Sequence, residues 1–259
     1  MMFKRLYLAS ISLFIFIFSG NAWAFAEGEN PYLKALANWQ SVLERHVDDD
    51  GRVNFAAISK DSEDLEAFVD AIALVSPSSH PELFSTNDHV LAYHANAYNA
   101  LAMWGVIQRK IPKNFSTLLK RASFFKFRKV IIGGKKTDLY TYENKVIRPL
   151  GEARMHFVLN CMVKDCPRLP RQAFRSETMQ DALQAAAIEF FTREKHTQVD
   201  HDNKQLRLSG IMKFYTKDYV ASGKKQDLVE YVNRFREDKI PNDYKVSFIK
   251  YDWTVNKQS

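Results

Sequence analysis

Cysteine, glycine and proline are all scarce in this chain, and each shortage excludes something. Two cysteines in 259 residues exclude a disulfide-dense scaffold and any zinc site built from four thiolates. Nine glycines and eight prolines, set in no repeat, exclude a collagen-like fibre or a low-complexity linker. Beyond the N-terminal apolar run no stretch approaches the ~20 apolar residues of a membrane span. Glycine-rich phosphate loops, dinucleotide fingerprints and the G-x-S-x-G elbow are also missing, which argues against nucleotide-dependent and serine-hydrolase chemistry. What is there is the composition of a folding chain, 46% hydrophobic, 13% aromatic and 26% charged. Its length suits one large domain and is too short for three.

The N-terminus reads as a targeting segment rather than as fold. Lys4 and Arg5 precede an apolar run from Leu6 to Phe18, and Ala22-Trp23-Ala24 and Ala24-Phe25-Ala26 offer small-residue exits. This pattern predicts a secretory signal peptide over residues 1–24, with cleavage as far as 26, and a single domain over 27–259. The expected location is therefore periplasmic or secreted, in a compartment that oxidises thiols. No cysteine lies near the cleavage site, so no lipid anchor is expected there.

Loss of Lys4 and Arg5 takes the net charge from +7 to +5. The distribution is uneven. From Arg109 to Lys136 there are ten cations and no acid, so the rest of the mature chain is acidic. Segment 109–136 is the candidate surface for an anionic envelope component, set against a merely solvated helix face and hairpin. No recognition helix or RNA-binding signature accompanies it, and no nucleic-acid partner is expected.

Hydrophobic periodicity predicts helices over Pro31–Val47 and Asp61–Val75. The turn Asp48-Asp49-Asp50-Gly51 lacks the spacing of a calcium loop. Residues 85–108 form the most informative helix, because they are apolar almost all round and so belong inside a core. Asp88, His89, Asn96 and Asn99 share one arc of it, with His94 opposite. Phe125–Ile132 and Lys136–Tyr140 read as a hairpin around Gly133-Gly134, and Gln198–Leu208 as a second. Met155–Cys161 reads as a buried strand whose alternation sets His156 and Cys161 on opposite faces. Helices over 177–192, 209–220 and 226–236 and a last strand over 246–251 complete the pattern. Helices and hairpins segregate, so the class is α+β, a single domain with helices packed on antiparallel hairpins or a small sheet.

Several blocks then occur in order: Asn96-Ala97-Tyr98-Asn99-Ala100, Glu143, Ile147-Arg148, His156-Phe157-Val158-Leu159-Asn160-Cys161 and Cys166-Pro167. Ile211-x-Lys213-Phe214-Tyr215-x-x-Asp218 and Tyr251-Asp252-Trp253-x-x-Asn256 follow. Together they resemble the domain of unknown function 547 family, over about residues 32–256. The resemblance implies a domain without an agreed activity. The chain departs from that pattern at Asn144, where a histidine is common, and at His94, where an aromatic is common.

Two functional classes follow from these residues. In the first, Cys166 or Cys161 is the nucleophile of a thiol-dependent hydrolase or transferase acting on an amide or ester. His156 would be the base and Asn99 or Glu143 its orienting partner. Asn96, Asn99, Arg148 and Asn160 would line the pocket. In the second, the polar residues form a satisfied core network, Cys161 and Cys166 are joined in a structural disulfide, and the chain is a binding or interaction module. A redox-active pair is a third option, although C-x4-C departs from the C-x-x-C spacing of such motifs. A mixed zinc site from His156, Cys161 and Cys166 with Glu143 or His89 would need a close-spaced ligand pair that is missing, so no metal or cofactor is expected.

Overall fold

A computed structural model describes residues 30–258, and the expected signal peptide lies outside them. The first helix, α1 (Pro31–His46), starts on Asn30, whose side chain accepts from the Tyr32 and Leu33 amides, with Pro31 pre-set for the first turn. A short turn, α2 (Phe55–Ile58), and α3 (Glu63–Leu74) follow. They pack Leu36, Trp39, Phe68 and Ile72 around the 22-residue α4 (Asn87–Gln108), which Thr86 caps. Every residue from Leu91 to Met103 is buried, as an all-round apolar helix requires.

Beyond α4 the chain makes α5 (Leu118–Ala122), a π-helical turn over Ser123–Phe127, and the hairpin β1 (Lys129–Ile132) and β2 (Lys135–Asp138). Gly133 and Gly134 both take positive φ at its turn, the conformation a two-residue hairpin needs. The expected hairpin is therefore present with a shorter first strand. Next come α6 (Leu139–Tyr142) and a second π-helical turn, Glu143–Ile147. A second core forms where α7 (Met179–Thr192) meets a three-stranded sheet: β3 (Thr197–Asp200), β4 (Gln205–Leu208) antiparallel to it, and β5 (Lys245–Phe248) parallel to β4. The short helices α8 (Gly210–Phe214), α9 (Thr216–Tyr219) and α10 (Leu228–Asn233) complete it. Phe157, Phe190 and Phe191 anchor this second core, and Tyr251 packs against both. The architecture is α+β, helices over small sheets, as the segregated pattern predicts.

The single helix expected over 209–220 is broken at Tyr215 into α8 and α9, and one further expectation fails outright. Met155–Cys161 is no strand: Ala153–Phe157 is a 3-10 turn and the chain beyond it is irregular. Among the described residues no strand lies alongside to pair its backbone. Asn99 does so instead, donating to Val158 O at 2.9 Å and accepting from the Asn160 amide at 2.7 Å. The opposite-face argument for His156 and Cys161 goes with the strand.

The acid-free segment is partly structural. Arg128 lies over Phe124 and donates to Leu101 O at 2.6 Å, and Arg109 donates to Ser123 O. A Cβ on Gly105 of α4 would sit 2.6 Å from the Arg128 guanidinium, so a larger residue there would push that group off Leu101 O. Burial pulls Arg128 down to about 10, and Arg109 beside it acts in the same direction.

Asn96 fixes how α4 meets α1 and the chain at Phe174. Its Oδ1 accepts from Trp39 Nε1 and the Phe174 amide, and its Nδ2 donates to Tyr32 Oη and Phe174 O. Asn96→Ala strands these buried partners and is expected to cost about 3 kcal/mol of unfolding free energy in urea titration. His94 carries a second expectation. Burial drives it from 6.5 down to about 4, so the unfolded chain takes up a proton before the folded chain does. Stability should fall as pH drops from 6.5 toward 4, by ~2–3 kcal/mol from this group. His94→Phe should start lower at pH 7, because Tyr142 Oη loses its partner at 2.6 Å, and should lose less than the parent between pH 7 and pH 4.5.

Candidate functional site

A cavity of about 600 Å³ opens between the two cores, and four of the sequence-predicted residues meet in its wall: Glu143, His156, Cys161 and Cys166. Arg148 joins them. The other three expected lining residues do not. Asn96 serves the α1 contact, while Asn99 and Asn160 lie beneath the site and hold its backbone. Their amides are spent on chain segments that lack sheet partners, which is why they cannot face a ligand.

The cysteine loop is built by those amides. Asn160 accepts from the Met162 amide at 2.7 Å and donates to Pro167 O at 2.7 Å, spanning the loop that carries both thiols. Met162 takes φ +63°, a left-handed conformation that the surrounding bonds must hold in place. The C-terminal strap holds the other side: Asn256 N donates to Met162 O, Lys164 N to Thr254 O, and the Asp252 amide to Asp165. This strap brings Tyr251 against both sulfurs, 3.5 Å from Cys166 and 3.9 Å from Cys161.

The expected structural disulfide is not formed, and both cysteines are free thiols. Hydrogen bonds already close the loop, and the Cys161 amide points at Cys166 Sγ from 3.1 Å. The two sulfurs are inequivalent. Burial alone would raise Cys166, but hydrogen bonds from the Cys161 thiol, the Tyr251 hydroxyl and the backbone at Val163 and Cys161 outweigh it, and its pKa is lowered. Donation to Cys166, followed by burial, pushes Cys161 well up. Cys166 is thus the favoured thiolate and Cys161 its proton-bearing neighbour.

A second polar group occupies the same cavity. His156 Nε2 lies 2.8 Å from Asp218, which also receives a two-pronged bond from Arg148 at 2.6 Å for each nitrogen. Burial acts to raise Asp218, but the Arg148 and His156 hydrogen bonds dominate and hold it far below the usual carboxylate range. The His156 ring stacks on Tyr215 at 4.0 Å. Tyr98 Oη donates to Glu143 at 3.0 Å, and Tyr215 also bonds Glu143. His156 is therefore committed to Asp218, and neither Asn99 nor Glu143 orients it. Among the described residues no three His, Cys, Asp or Glu side chains converge to hold a metal ion. His89, weighed as a zinc ligand, bonds Thr86 at the start of α4.

Sequence reasoning did not assign Tyr98, Tyr215, Asp218 or Tyr251 to the site, although all four lie in the blocks that carry the family resemblance. Their presence there was the available signal. Periodicity set Tyr215 and Asp218 together on one expected helix, but Tyr98 and Tyr251 come from distant elements.

Fold and site together define an α+β domain with a paired-thiol cavity between two cores. Residues 82–191 match the family model described as "Protein of unknown function, DUF547", which supports that domain family for this stretch. No curated protein and no solved structure matches the chain. The matched stretch carries both thiols, Glu143, Arg148 and His156, whereas Tyr215, Asp218 and Tyr251 lie beyond it.

Tyr251→Phe removes one donor from Cys166 without emptying the space. Iodoacetamide should then modify Cys166 several-fold more slowly at pH 7, with the pH midpoint of the reaction moved upward, as peptide mass mapping can follow.

Proposed function

We propose that this chain is a thiol-dependent hydrolase or transferase in which Cys166 is the nucleophile. The observation that carries the reading is the set of donors aimed at Cys166 Sγ in the cavity wall, which favours a thiolate at a buried sulfur. The thiolate would attack the carbonyl carbon of an amide or ester, forming a C–S bond as the carbonyl electron pair moves to oxygen. Collapse would break the bond to the leaving group, which takes its proton from the Tyr251 hydroxyl or the Cys161 thiol, the two acids facing Cys166. Water or a second nucleophile would then accept the acyl group and release the sulfur. Arg148, held by Asp218, and the Tyr98–Glu143–Tyr215 group would position the substrate. On the pattern of Lys4-Arg5, the apolar run and the Ala-x-Ala exits, we place the reaction in the periplasm or outside the cell.

A second reading rests on the Cys161 thiol beside Cys166. In thiol–disulfide exchange, Cys166 would attack a substrate disulfide and expel one thiolate, and Cys161 would then displace the other from the mixed disulfide. Both substrate sulfurs leave reduced, and the pair is left oxidised.

A panel of activated esters, amides and thioesters, read by product release and by intact mass, separates the two. The first reading expects an acyl adduct on the parent and on Cys161→Ser, and none on Cys166→Ala. Reduction of one equivalent of a small disulfide, or its turnover with added dithiothreitol as reductant, that both cysteine variants abolish, with no acyl adduct, would replace it by the second. Neither adduct nor disulfide turnover would overturn thiol chemistry in favour of a binding module.

A further inference from the structure

Large apolar side chains stand in water around the mouth of the cavity. Leu118 and Leu119 of α5 are 78% and 74% exposed, and Phe127 at the end of the π-helical turn is 67% exposed. Tyr140 and Phe214 are about half exposed. Leu118, Tyr140 and Phe214 line the cavity itself, and Leu119 and Phe127 directly follow the lining residues Leu118 and Lys126, so the exposed apolar side chains gather at one mouth.

Along residues 113–146 the exposed charge on this rim has one sign. Lys120, Lys126, Lys145 and Lys213 are exposed beside those apolar residues. From Lys113 to Val146 the only acids are Asp138 and Glu143, both buried, and Asp138 is already paired with Lys129. Thus the 113–146 side of the rim presents leucine and aromatic side chains among lysines with no exposed carboxylate, whereas Asp252, between Tyr251 and Trp253 on the other side, is exposed. Lysine stems can follow an apolar surface while the ammonium stays among headgroups. Exposed apolar tips with one-signed flexible cations suit a surface that is apolar below and anionic above. A protein partner would have to offer a matching apolar pocket and an acidic ring, whereas an anionic bilayer supplies both everywhere.

We propose that this rim docks the protein on an anionic lipid bilayer surface, with Leu118, Leu119 and Phe127 entering the headgroup boundary and the lysines engaging the headgroups. The cavity mouth then faces the membrane. No helix among the described residues is long and apolar enough to cross it, so the attachment is peripheral. The inference rests on the rim alone and stands whether or not Cys166 is catalytic.

The test is sedimentation of the full mature chain with vesicles of phosphatidylcholine alone or with one-third phosphatidylglycerol (roughly the charge density of an anionic leaflet). The parent should bind the anionic vesicles, bind the neutral ones weakly, and be released by salt. The double variant Leu119→Ser, Phe127→Ser keeps the cavity lining and touches only exposed side chains. It should melt like the parent and bind on the order of tenfold more weakly. Lys120→Glu with Lys145→Glu should weaken binding to anionic vesicles only. Failure of the parent to bind, equal binding to neutral vesicles, or unchanged binding by the double variant would overturn the proposal. So would a dimer in light scattering that the double variant dissolves while neither protein binds vesicles, since a second copy would then cover the rim.

Discussion

Asn99 sits in the middle of a helix that is buried on every side, where an amide without partners would be costly. The chain from Val158 to Asn160 has the matching problem, being buried backbone with no strand beside it among the described residues. Each solves the other: Asn99 takes up Val158 O and the Asn160 amide, and Asn160 extends the arrangement to Met162 and Pro167. The cysteine loop hangs from this relay. Its left-handed residue, the aim of the Cys161 amide and the inequivalence of the two thiols all depend on the loop being held at both ends. The site is thus positioned by the core rather than appended to it, and Asn99 and Asn160 act through the loop they hold.

Two polar groups share the cavity without sharing a partner. At one side a thiol pair and Tyr251 favour a thiolate. At the other, Arg148 pairs with Asp218, His156 bonds the same carboxylate, and the His156 ring lies flat on Tyr215. Tyr215 also meets Glu143, which Tyr98 holds at 3.0 Å. A ligand filling this space would meet a soft nucleophile near one end and fixed cation and hydrogen-bond groups near the other. That separation orients a substrate: recognition and bond-making need not compete for the same atoms.

Much of the scaffold was legible in the residues. The apolar stretch after Thr86 gave a buried helix, Gly133-Gly134 and the Gln198–Leu208 segment gave hairpins, and the segregation of helices from strands gave the class. The misses share a cause. Met155–Cys161 alternates like a strand, yet a strand needs a neighbour, and the pairing here comes from a side chain 61 positions earlier. Asn96, Asn99 and Asn160 were correctly read as buried, but burial alone does not tell an amide that faces a ligand from one that holds backbone. The cysteines were read through their expected compartment, whereas their local geometry is that of a hydrogen-bonded thiol pair.

By itself the sequence determined what is local: which segments are helical, where hairpins turn, which helix is central, and which polar residues have to be satisfied inside. These follow from periods of two and 3.6 and from the backbone preferences of near neighbours. Only the tertiary structure decided that Cys166 meets Tyr251 across 85 positions, that His156 pairs with Asp218 across 62, and that α5 offers its leucines to water at the cavity rim. Those contacts are set by how the C-terminal strap and short helices dock against the buried helix. Docking depends on the packing of two whole cores, and no window of sequence contains it.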